Sequence, residues 1–414
     1  MSAFSEVRLK FVSGEPLKYG ANAAAEFDDP DWPRFVRITD IDSNGKLREE
    51  TFRSLPREIA RPYLLQEGDV LLARSGATVG KSFIYEKQWG EACYAGYLIR
   101  LRVSKEFDAR YVYWCLQGSR YWSDIESNLI QSTIQNVSAE RYASFRVPSP
   151  PIEIQRRIAR FLDDKMARID ALIAKKHTLL DRLAERRQAL ITRAVTKGLN
   201  PDALMKPSGI DWLGDIPAHW NLVPFKWRCR IESGQVDPRE PEFATMPLIA
   251  PDHIESGTGR VYEVTTAEEQ GAISGKYLCP PGSILYSKIR PALRKVALFE
   301  GVCLCSADMY AIDVNPHFVR EYLFYFLLTD AFTSYAELES LRVAMPKVNR
   351  EALGAFPLPF PDKQEQRRIA TFCEETDHGH RDIADRVNAS ITRLEEYRTA
   401  LITAAVTGNV AGFE

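Results

Sequence analysis

The chain has 414 residues, of which 45% are hydrophobic and 27% are charged, and its formal net charge is −2. This length exceeds what a single hydrophobic core usually holds, so we expect more than one domain of an ordinary globular type. No run of 18 apolar residues could span a bilayer, and the first residues lack the layout of a signal peptide, so we expect a cytoplasmic protein with no membrane contact. The seven cysteines are scattered, which favours reduced thiols over disulfides.

The charge is distributed unevenly along the chain. Residues 1–150 are neutral overall, 151–206 carry a net charge of +6, 207–361 carry −5 and 362–414 carry −3. A protein that binds nucleic acid without help usually has a basic footprint. Here only local basic patches exist, so binding to nucleic acid would need part of the positive field from partner subunits.

The first globular region, residues 1–150, is rich in strand-forming runs that alternate with short helices. It contains GDVLLARSGATVGKSFIY, which starts at Gly68 and imitates a phosphate-binding loop around Lys81. A true phosphate-binding loop needs Gly where Ser75 stands, and a helix must follow it. The segment after Lys81 instead has the pattern of a strand, which argues against nucleotide binding.

Residues 151–198 are predicted to form one long helix. Positions 162, 166, 169, 173, 176, 180, 183, 187, 190 and 194 alternate in steps of four and three, and eight of these ten positions are apolar. This spacing is typical of a coiled-coil seam. Prolines precede the helix and Gly198 follows it, as expected for a helix start and a helix end.

A linker rich in Pro and Gly, residues 199–220, leads to a second globular region, residues 221–361. A second long helix is predicted over residues 362–408, and a short tail over 409–414. The seam of this helix is poorer because Asp377 and His380 interrupt its first half. We therefore expect that half to pack loosely or against another part of the protein.

An internal repeat relates the two halves. QRRIARF from Gln155 returns as QRRIATF from Gln366, and RQALITRAVT from Arg187 returns as RTALITAAVT from Arg398, both with an offset of 211 residues. Across 155–196 and 366–407, 17 of 42 positions are identical without a gap. A continuous helix imposes such a gapless repeat, because one inserted residue would rotate all later side chains by about 100°.

The repeat extends more weakly into the globular regions, where the segment from Gly68 aligns with GSILYSKIRPALRKVALF from Gly282. The predicted fold class is therefore α+β: two globular domains separated by two long helices that form an antiparallel coiled coil, with a pseudo-two-fold internal repeat. An alternative is that both helices pair with helices of other chains. A duplicated plan of this kind suits recognition of two DNA half-sites, which should differ because the two domains differ.

These segments resemble the specificity subunits of type I restriction–modification systems over essentially the whole chain. The resemblance is carried by both helix starts, by the helix ends ALITRAVT and ALITAAVT, by the linker GIDWLGDIPAHW and by the GDVLLARSGATVGK segment. It implies that each globular domain is a target-recognition domain that reads half of an asymmetric, bipartite DNA site. It further implies that the chain itself is not catalytic.

The resemblance also implies partners. Two copies of a modification subunit, a methyltransferase that carries S-adenosylmethionine, would dock on the long helices, and restriction and translocation subunits join where the system cleaves DNA. No cofactor is expected on this chain. Candidates for the coiled coil or for docking are Gln155, Arg156, Arg157, Ile158, Leu162, Ile169, Leu180, Leu183, Leu190, Gln366, Arg367, Arg368, Ile369, Ile391, Leu394 and Leu401.

In this setting the polar loops are candidate DNA contacts. Cations reach phosphate or guanine, glycines let the backbone approach, and amides read adenine edges. The candidates in the first domain are Arg74, Ser75, Gly76, Lys81, Gln131, Gln135 and Asn136, with Gly80 as a second glycine beside the loop. Those in the second domain are Lys288, Arg290, Arg294, Lys295, Arg342 and Lys347.

Signatures of an enzyme are missing from the sequence. An amino-methyltransferase would need an Asn/Asp-Pro-Pro-aromatic motif, and the nearest match, at Asn315, lacks the second proline. His378, His380, Cys303 and Cys305 lack partners at zinc spacing, so no metal site is predicted. Two rival readings are a stand-alone methyltransferase or nuclease and a coiled-coil scaffold without sequence-specific DNA binding.

Overall fold

The computed structural model describes residues 4–42, 45–130, 136–340 and 347–412. The chain divides into two compact units, one built from two stretches of sequence and the other from a single internal stretch. The first unit contains residues 1–178 and 387–414, and the second contains residues 179–386. Both long helices therefore contribute one half to each unit.

The short strands of the first unit form three small sheets. The strands are β1 (Glu6–Arg8), β2 (Lys18–Tyr19), β3 (Arg34–Val36), β4 (Val70–Ala73), β5 (Ser82–Ile84), β6 (Ala92–Tyr94), β7 (Leu98–Leu101) and β8 (Arg146–Pro148). An antiparallel sheet has the order β2-β7-β4-β5, while β3 and β6 form a parallel pair and β1 and β8 an antiparallel pair. The short helices are α1 (Leu9–Val12), α2 (Arg57–Ala60), α3 (Ala109–Cys115), α4 (Ser119–Ile130) and α5 (Ala139–Ser144).

The second unit repeats this plan after the long helix α6 (Ile152–Lys197). Its strands are β9 (Met205–Pro207), β10 (Asp215–Pro217), β11 (Asn221–Pro224), β12 (Cys229–Ile231), β13 (Gln235–Val236), β14 (Leu248–Ile249), β15 (Lys276–Cys279), β16 (Ser283–Ser287), β17 (Val296–Phe299), β18 (Cys303–Cys305), β19 (Met309–Val314) and β20 (Pro357–Phe360). The helices are α7 (Pro241–Ala244), α8 (Arg320–Leu327), α9 (Asp330–Ser340), α10 (Arg350–Ala355) and the long α11 (Lys363–Val406).

The sheets of the second unit correspond to those of the first. The order β12-β19-β16-β17 matches β2-β7-β4-β5, the parallel pair β14 and β18 matches β3 and β6, and β11 with β20 matches β1 with β8. The second unit also has β13 and β15 beside β18, and a pair formed by β9 and β10. The internal repeat is thus a repeat of topology as well as of sequence.

The two long helices run antiparallel within each unit. In the first unit the early residues of α6, such as Leu162 and Met166, share a core with Ile402 and Val406 at the end of α11. In the second unit Ile191 and Val195 near the end of α6 share a core with the early residues of α11. The predicted antiparallel pairing is confirmed, and apolar burial of the seam drives it.

All ten predicted seam positions of α6 are at least partly buried, and so are the ten equivalent seam positions of α11, which are 373, 377, 380, 384, 387, 391, 394, 398, 401 and 405. Of the two alternatives expected for the first half of α11, loose packing is wrong for Asp377: it is only 8% exposed and forms an ion pair with Arg187, one of the two polar seam residues of α6. In the first unit Arg398, the repeat equivalent of Arg187, pairs with Asp170 at 3.4 Å. Each seam arginine therefore meets an acid on the neighbouring helix, which offsets the cost of burying a charge.

Two buried glutamines join the helix starts to the globular parts. The Gln155 side chain accepts a hydrogen bond from the Asp108 amide at 2.9 Å and donates to the Pro150 carbonyl at 2.8 Å. Its equivalent, Gln366, accepts from the amide of Val319 at 2.8 Å and donates in the same way to Pro361. Both amides are satisfied inside the protein, so neither side chain is placed to meet a partner subunit.

Two buried tyrosines fasten the ends of the long helices. The Tyr111 hydroxyl lies 3.1 Å from the carbonyl oxygens of Pro148 and Val406. The hydroxyl of its equivalent, Tyr322, lies 2.9 Å from the carbonyl of Val195 and close to that of Pro359. Burial raises the pKa of both phenols, so each stays a neutral donor to carbonyls that the last helical turn leaves without a partner.

Replacing Tyr322 with Phe should lower the free energy of unfolding by about 1–3 kcal/mol, because the buried carbonyls lose their donor. Urea unfolding of the full chain measures this. The control is Tyr262→Phe, since Tyr262 is exposed in the same unit. If the two variants shift the urea midpoint equally, the hydroxyl of Tyr322 does not fasten the helix end.

None of the helices within the described ranges combines the length and the apolar character that a membrane span requires. Within the same ranges, no group of three or more His, Cys, Asp or Glu side chains is arranged to hold a metal ion. The seven cysteines are free and buried.

Candidate nucleic-acid interface

The two predicted polar segments of the first domain lie side by side. Arg74 and Ser75 directly follow β4, and Ser75 pairs with Asn136 as an isolated antiparallel bridge. The Val137 amide donates to the Arg74 carbonyl at 2.8 Å, and Arg74 Nε donates to Asn136 Oδ1 at 3.3 Å. Residues that are 62 positions apart in sequence are thus joined into one polar surface, which we call the first reading loop (residues 74–81 and 136).

Two of the candidates in this domain, Gln131 and Gln135, lie outside the described residues. Asn136 is the first described residue after them and is exposed. Lys81 at the other end of the loop is also exposed, as is Gly76. Gly76 has a φ of +72°, and a Cβ atom there would meet nothing within 4 Å, so only the backbone conformation demands glycine.

Aromatic side chains that were not predicted from the sequence border this loop. The Arg74 guanidinium lies 4.7 Å from the centre of the Tyr19 ring, a distance suited to a cation–π interaction. Tyr97 is 67% exposed, and its carbonyl accepts a hydrogen bond from the Arg74 amide at 3.1 Å. No local pattern marks these tyrosines, because they reach Arg74 only through pairing of distant strands.

Gly80 has a different role from the predicted one. It is buried, and a Cβ atom there would lie 3.1 Å from the side chains of Ile125 and Trp122. Tyr142 accepts a hydrogen bond from the Gly80 amide at 3.1 Å and donates to the Ala73 carbonyl at 2.6 Å. Burial raises the pKa of Tyr142 to about 12, so the phenol remains a donor. Gly80 therefore anchors the loop to α4 and does not allow the backbone to approach DNA.

The resemblance of this segment to a phosphate-binding loop ends at Lys81. After Lys81 the chain enters β5, where Ser82 begins a strand paired with β4. A phosphate-binding loop needs the start of a helix at that position, since its amides and dipole hold the anion. The geometry at Lys81 therefore does not support nucleotide binding.

The second domain joins its two polar segments in the same way. Ile289, just after β16, pairs with Lys347 as an isolated antiparallel bridge, and the Val348 amide donates to the Lys288 carbonyl at 2.9 Å. We call residues 288–295 together with 347 the second reading loop. Arg342 lies outside the described residues. Lys347 and Arg290 are exposed, whereas Lys288 is half-buried with its ammonium 5.4 Å from the Tyr310 ring centre.

The remaining cations of the second loop already have partners within the chain. Arg294 forms an ion pair with Asp330 at the start of α9. The Lys295 ammonium donates to the Pro251 carbonyl at 2.6 Å, which directs it toward the domain instead of outward. Arg290 and Arg294 both adopt left-handed backbone conformations, with φ of 49° and 46°. Residues other than glycine rarely adopt this conformation, and it recurs at functional sites.

The two reading loops occupy equivalent places but offer different chemistry. The Arg74 amide donates to the carbonyl of Tyr97, and in the second domain the Lys288 amide donates to that of Asp308. The residue that bonds the first loop through its carbonyl is thus an exposed tyrosine, and its counterpart at the second loop is an exposed aspartate. Loops with the same scaffold and different side chains are suited to reading different base sequences.

Apart from the buried Gln155 and Gln366, the helix residues predicted for coiled-coil packing or docking fall into two groups. Those in the seam are buried or half-buried: Ile158, Leu162, Ile169, Leu180, Leu183, Leu190, Ile369, Ile391, Leu394 and Leu401. The paired arginines near the helix starts are exposed: Arg156, Arg157, Arg367 and Arg368. The seam residues are apolar, so the charge that these predicted helix residues present at the surface comes from the four arginines.

The fold and the loops together define a class of protein: a duplicated chain whose two α+β domains carry equivalent polar loops and whose two long helices pair in antiparallel fashion. The chain matches the family described as "Type I restriction modification DNA specificity domain" at residues 50–182 and 242–393. The chain belongs to this family.

Characterised relatives carry the corresponding names. The chain is 31% identical over 363 residues to the EcoDI specificity subunit of Escherichia coli, covering 82% of this chain and 78% of that protein. It is 23% identical over 330 residues to the MjaVIII specificity subunit of Methanocaldococcus jannaschii, covering 76% and 73%. Both are named as subunits of type I restriction enzymes.

Solved structures share the fold. A chain from a study of complex assembly and conformational transition of the type I R-M system matches with a TM-score of 0.73 and 16% identity, over 98% of both chains. The HsdS subunit from Thermoanaerobacter tengcongensis matches with a TM-score of 0.54 and 17% identity, over 98% of this chain and 97% of that one.

Proposed function

We propose that each globular domain of this DNA specificity subunit reads one half of an asymmetric, bipartite DNA site. As a member of its family, the chain gives DNA specificity to a type I restriction–modification system. One observation carries the proposal: each repeat joins two polar segments into a reading loop at the same place in the fold, through the Ser75–Asn136 bridge and the Ile289–Lys347 bridge. The side chains on the two loops differ, so the two half-sites should differ.

The chemistry of the loops suits duplex DNA. Exposed Lys81, Arg290 and Lys347 supply cations for phosphate or for the acceptor edge of guanine. The amide of Asn136 could read an adenine edge, and its position is restrained by Arg74. The chain is slightly acidic overall, so partner subunits would supply much of the positive field that DNA affinity requires.

Type I specificity subunits work together with DNA and with other subunits of the system. We propose that two modification subunits dock on this chain, in keeping with its duplicated plan, and that S-adenosylmethionine is bound by them. Restriction and translocation subunits would join where the system cleaves DNA. The exposed arginines that recur at both helix starts are candidate contacts for the docked subunits.

Co-expression with the modification subunits and methylation of a DNA library test this function. The library carries two randomised half-sites at a range of separations, and single-molecule sequencing reports which sequences are methylated. We expect two different short motifs at one preferred separation. Methylation without any base preference would contradict the proposal and would favour a scaffold role.

The chain alone should neither methylate nor cleave DNA, because the methyltransferase motifs are missing from its sequence. The measurement is incubation of the purified chain with labelled S-adenosylmethionine, Mg²⁺ and plasmid DNA. The co-expressed complex is the positive control. Turnover by the chain alone that persists through purification and disappears on mutation of one of its own carboxylates would contradict a non-catalytic role.

A further inference from the structure

A polar pair interrupts the apolar seam of the long helices in the second unit. Arg187 of α6 donates from Nε to Asp377 of α11, and both side chains are about nine-tenths buried. Arg381, one turn further along α11, donates to the other carboxylate oxygen of Asp377 at 2.7 Å. An apolar pair at such a place would often be as stable, so a buried ion pair points to a role in fixing geometry.

Arg187 also reaches beyond the helices to the tip of a hairpin. Its Nη1 donates to the Gly257 carbonyl at 3.0 Å. The hairpin is defined by the bridge between Ile254 and Val261 and by the hydrogen bond from the amide of Glu255 to the carbonyl opposite at residue 260. With one nitrogen on Asp377 and another on Gly257, the planar guanidinium has a defined orientation.

The hairpin tip is seated closely on the domain. Gly257 and Gly259 have φ values of +74° and +77°, which favour glycine. A Cβ atom at Gly259 would lie 2.4 Å from the Phe324 ring of α8, so only glycine lets the tip approach this helix. The hairpin tip thus packs against α8 as well as bonding to Arg187.

From the hairpin the hydrogen bonds continue to the second reading loop. The Gly257 amide donates to the carbonyl of Arg294 at 3.2 Å. Arg294 is one of the two residues with left-handed backbone conformation that enclose the turn Pro291–Leu293. Such a conformation persists where surrounding contacts hold it, and the bond from Gly257 is one of those contacts.

We propose that Arg187 is a positioning residue for DNA recognition: anchored by Asp377, it holds the hairpin at Gly257, and the hairpin holds the second reading loop at Arg294. The proposal rests on the function proposed above. The proposal explains why a polar residue interrupts the seam at position 187, because an apolar side chain could pack there but could not donate a hydrogen bond to the carbonyl of Gly257. It makes base recognition by the second domain depend on a residue that does not touch DNA.

The first unit offers a matched control. Arg398 is the equivalent of Arg187, but its acid partner is Asp170 on α6, and Met166 stands where the repeat places Asp377. Replacement of Arg398 therefore removes a seam arginine without touching the path through Gly257. An effect that comes only from losing a charge in the seam should therefore appear whether Arg187 or Arg398 is replaced.

The test compares Arg187→Met with the wild-type chain, each assembled with its modification subunits, on the library with randomised half-sites. We expect about a tenfold loss of base discrimination at the half-site read by the second domain, comparable to the loss of one good base contact, and no change at the other half-site. Exchanging residues 221–361 for those of a relative identifies which half-site this is. Arg187→Lys should recover part of the discrimination, because the ammonium can reach one acceptor at a time.

Hydrogen exchange of the full chain gives a second measurement that needs no DNA. In Arg187→Met the amide of residue 257 and those of residues 288–290 and 292–295 should exchange faster, while the amides of β16 and β19 stay protected. Arg398→Met should leave both the second half-site and these amides unchanged.

Three results would overturn the proposal: unchanged discrimination in folded Arg187→Met, an equal loss at both half-sites, or a loss of the same kind in Arg398→Met. A wild-type complex that methylates without base preference would instead remove the proposed function. In that case the exchange rate at residue 257 still decides whether Arg187 holds the hairpin.

Discussion

Deleting residues 171–177 and 382–388, one heptad from each long helix, should shorten the preferred separation of the two DNA half-sites by up to about three base pairs. Each helix loses about 10 Å at 1.5 Å per residue, and B-DNA rises about 3.4 Å per base pair. The half-site sequences themselves should not change, because no reading loop is touched. Methylation of the library described above measures both quantities.

The structure favours this choice of deletion. The removed stretches are repeat equivalents, and they spare both seam ion pairs, Arg187–Asp377 and Arg398–Asp170. They spare every fully buried helix residue of the two large cores, although they remove Ile173, which is partly buried against the core of the first unit. A loss of seven residues returns a helix nearly to the same face, so the remaining seam stays in register.

The matched control removes three residues from each helix, 171–173 and 382–384. A deletion of this size turns everything beyond it by about 60°, which takes the later seam off its face. This variant should lose complex assembly or stability instead of adopting a new separation. If the folded, active seven-residue variant still prefers the original separation, the helices do not set the distance.

Replacing Arg290 with Ala should weaken DNA binding by the assembled complex by about 1–3 kcal/mol. Arg290 is exposed on the second reading loop and has a left-handed backbone. Alanine carries the same Cβ atom as arginine, so both residues meet a similar backbone cost there and the substitution chiefly removes the guanidinium. A contact to phosphate would lower affinity for all sequences and flatten the salt dependence, whereas a contact to a base would relax one position of the motif.

Replacement of Asp330 should have the opposite effect and strengthen DNA binding. This carboxylate is exposed and pairs with Arg294, so Asp330→Asn should free a cation and remove a negative charge beside the loop. DNA affinity should rise at low salt, and the gain should shrink as salt increases. The control for Arg290→Ala is Arg239→Ala. Arg239 is an exposed arginine outside the second reading loop, and its guanidinium is already paired with Asp237. Equal effects of Arg290→Ala and Arg239→Ala would remove the second reading loop from the interface.

Much of the architecture could be predicted because its signals are local or periodic. A seam with steps of three and four, a gapless offset of 211 residues and prolines before each helix all follow from the geometry of a single helix. The motifs at the helix starts and ends were specific enough to indicate the family. The candidate cations of the loops stood out because four of them fall within residues 288–295.

The details of the candidate site could not be predicted in the same way. Gly80 and Lys295 looked like residues that face a ligand, yet contacts with distant segments turn them inward, toward α4 and toward Pro251. Tyr97 carried no signal, although strand pairing places it beside Arg74. Short polar loops have no periodicity, so the direction of each side chain depends on contacts that are distant in sequence.

The sequence by itself determined the duplicated plan, the two long helices and their seams, because those properties depend on spacing along one segment. Only the tertiary structure decided what the polar seam residues do. Asp377 interrupts a regular pattern and looks unfavourable on its own helix, but it meets Arg187, which interrupts the pattern of the other. The pairing joins residues 190 positions apart, and the link onward through Gly257 to Arg294 spans two further separate segments. Such a chain of contacts arises only when folding brings the segments together.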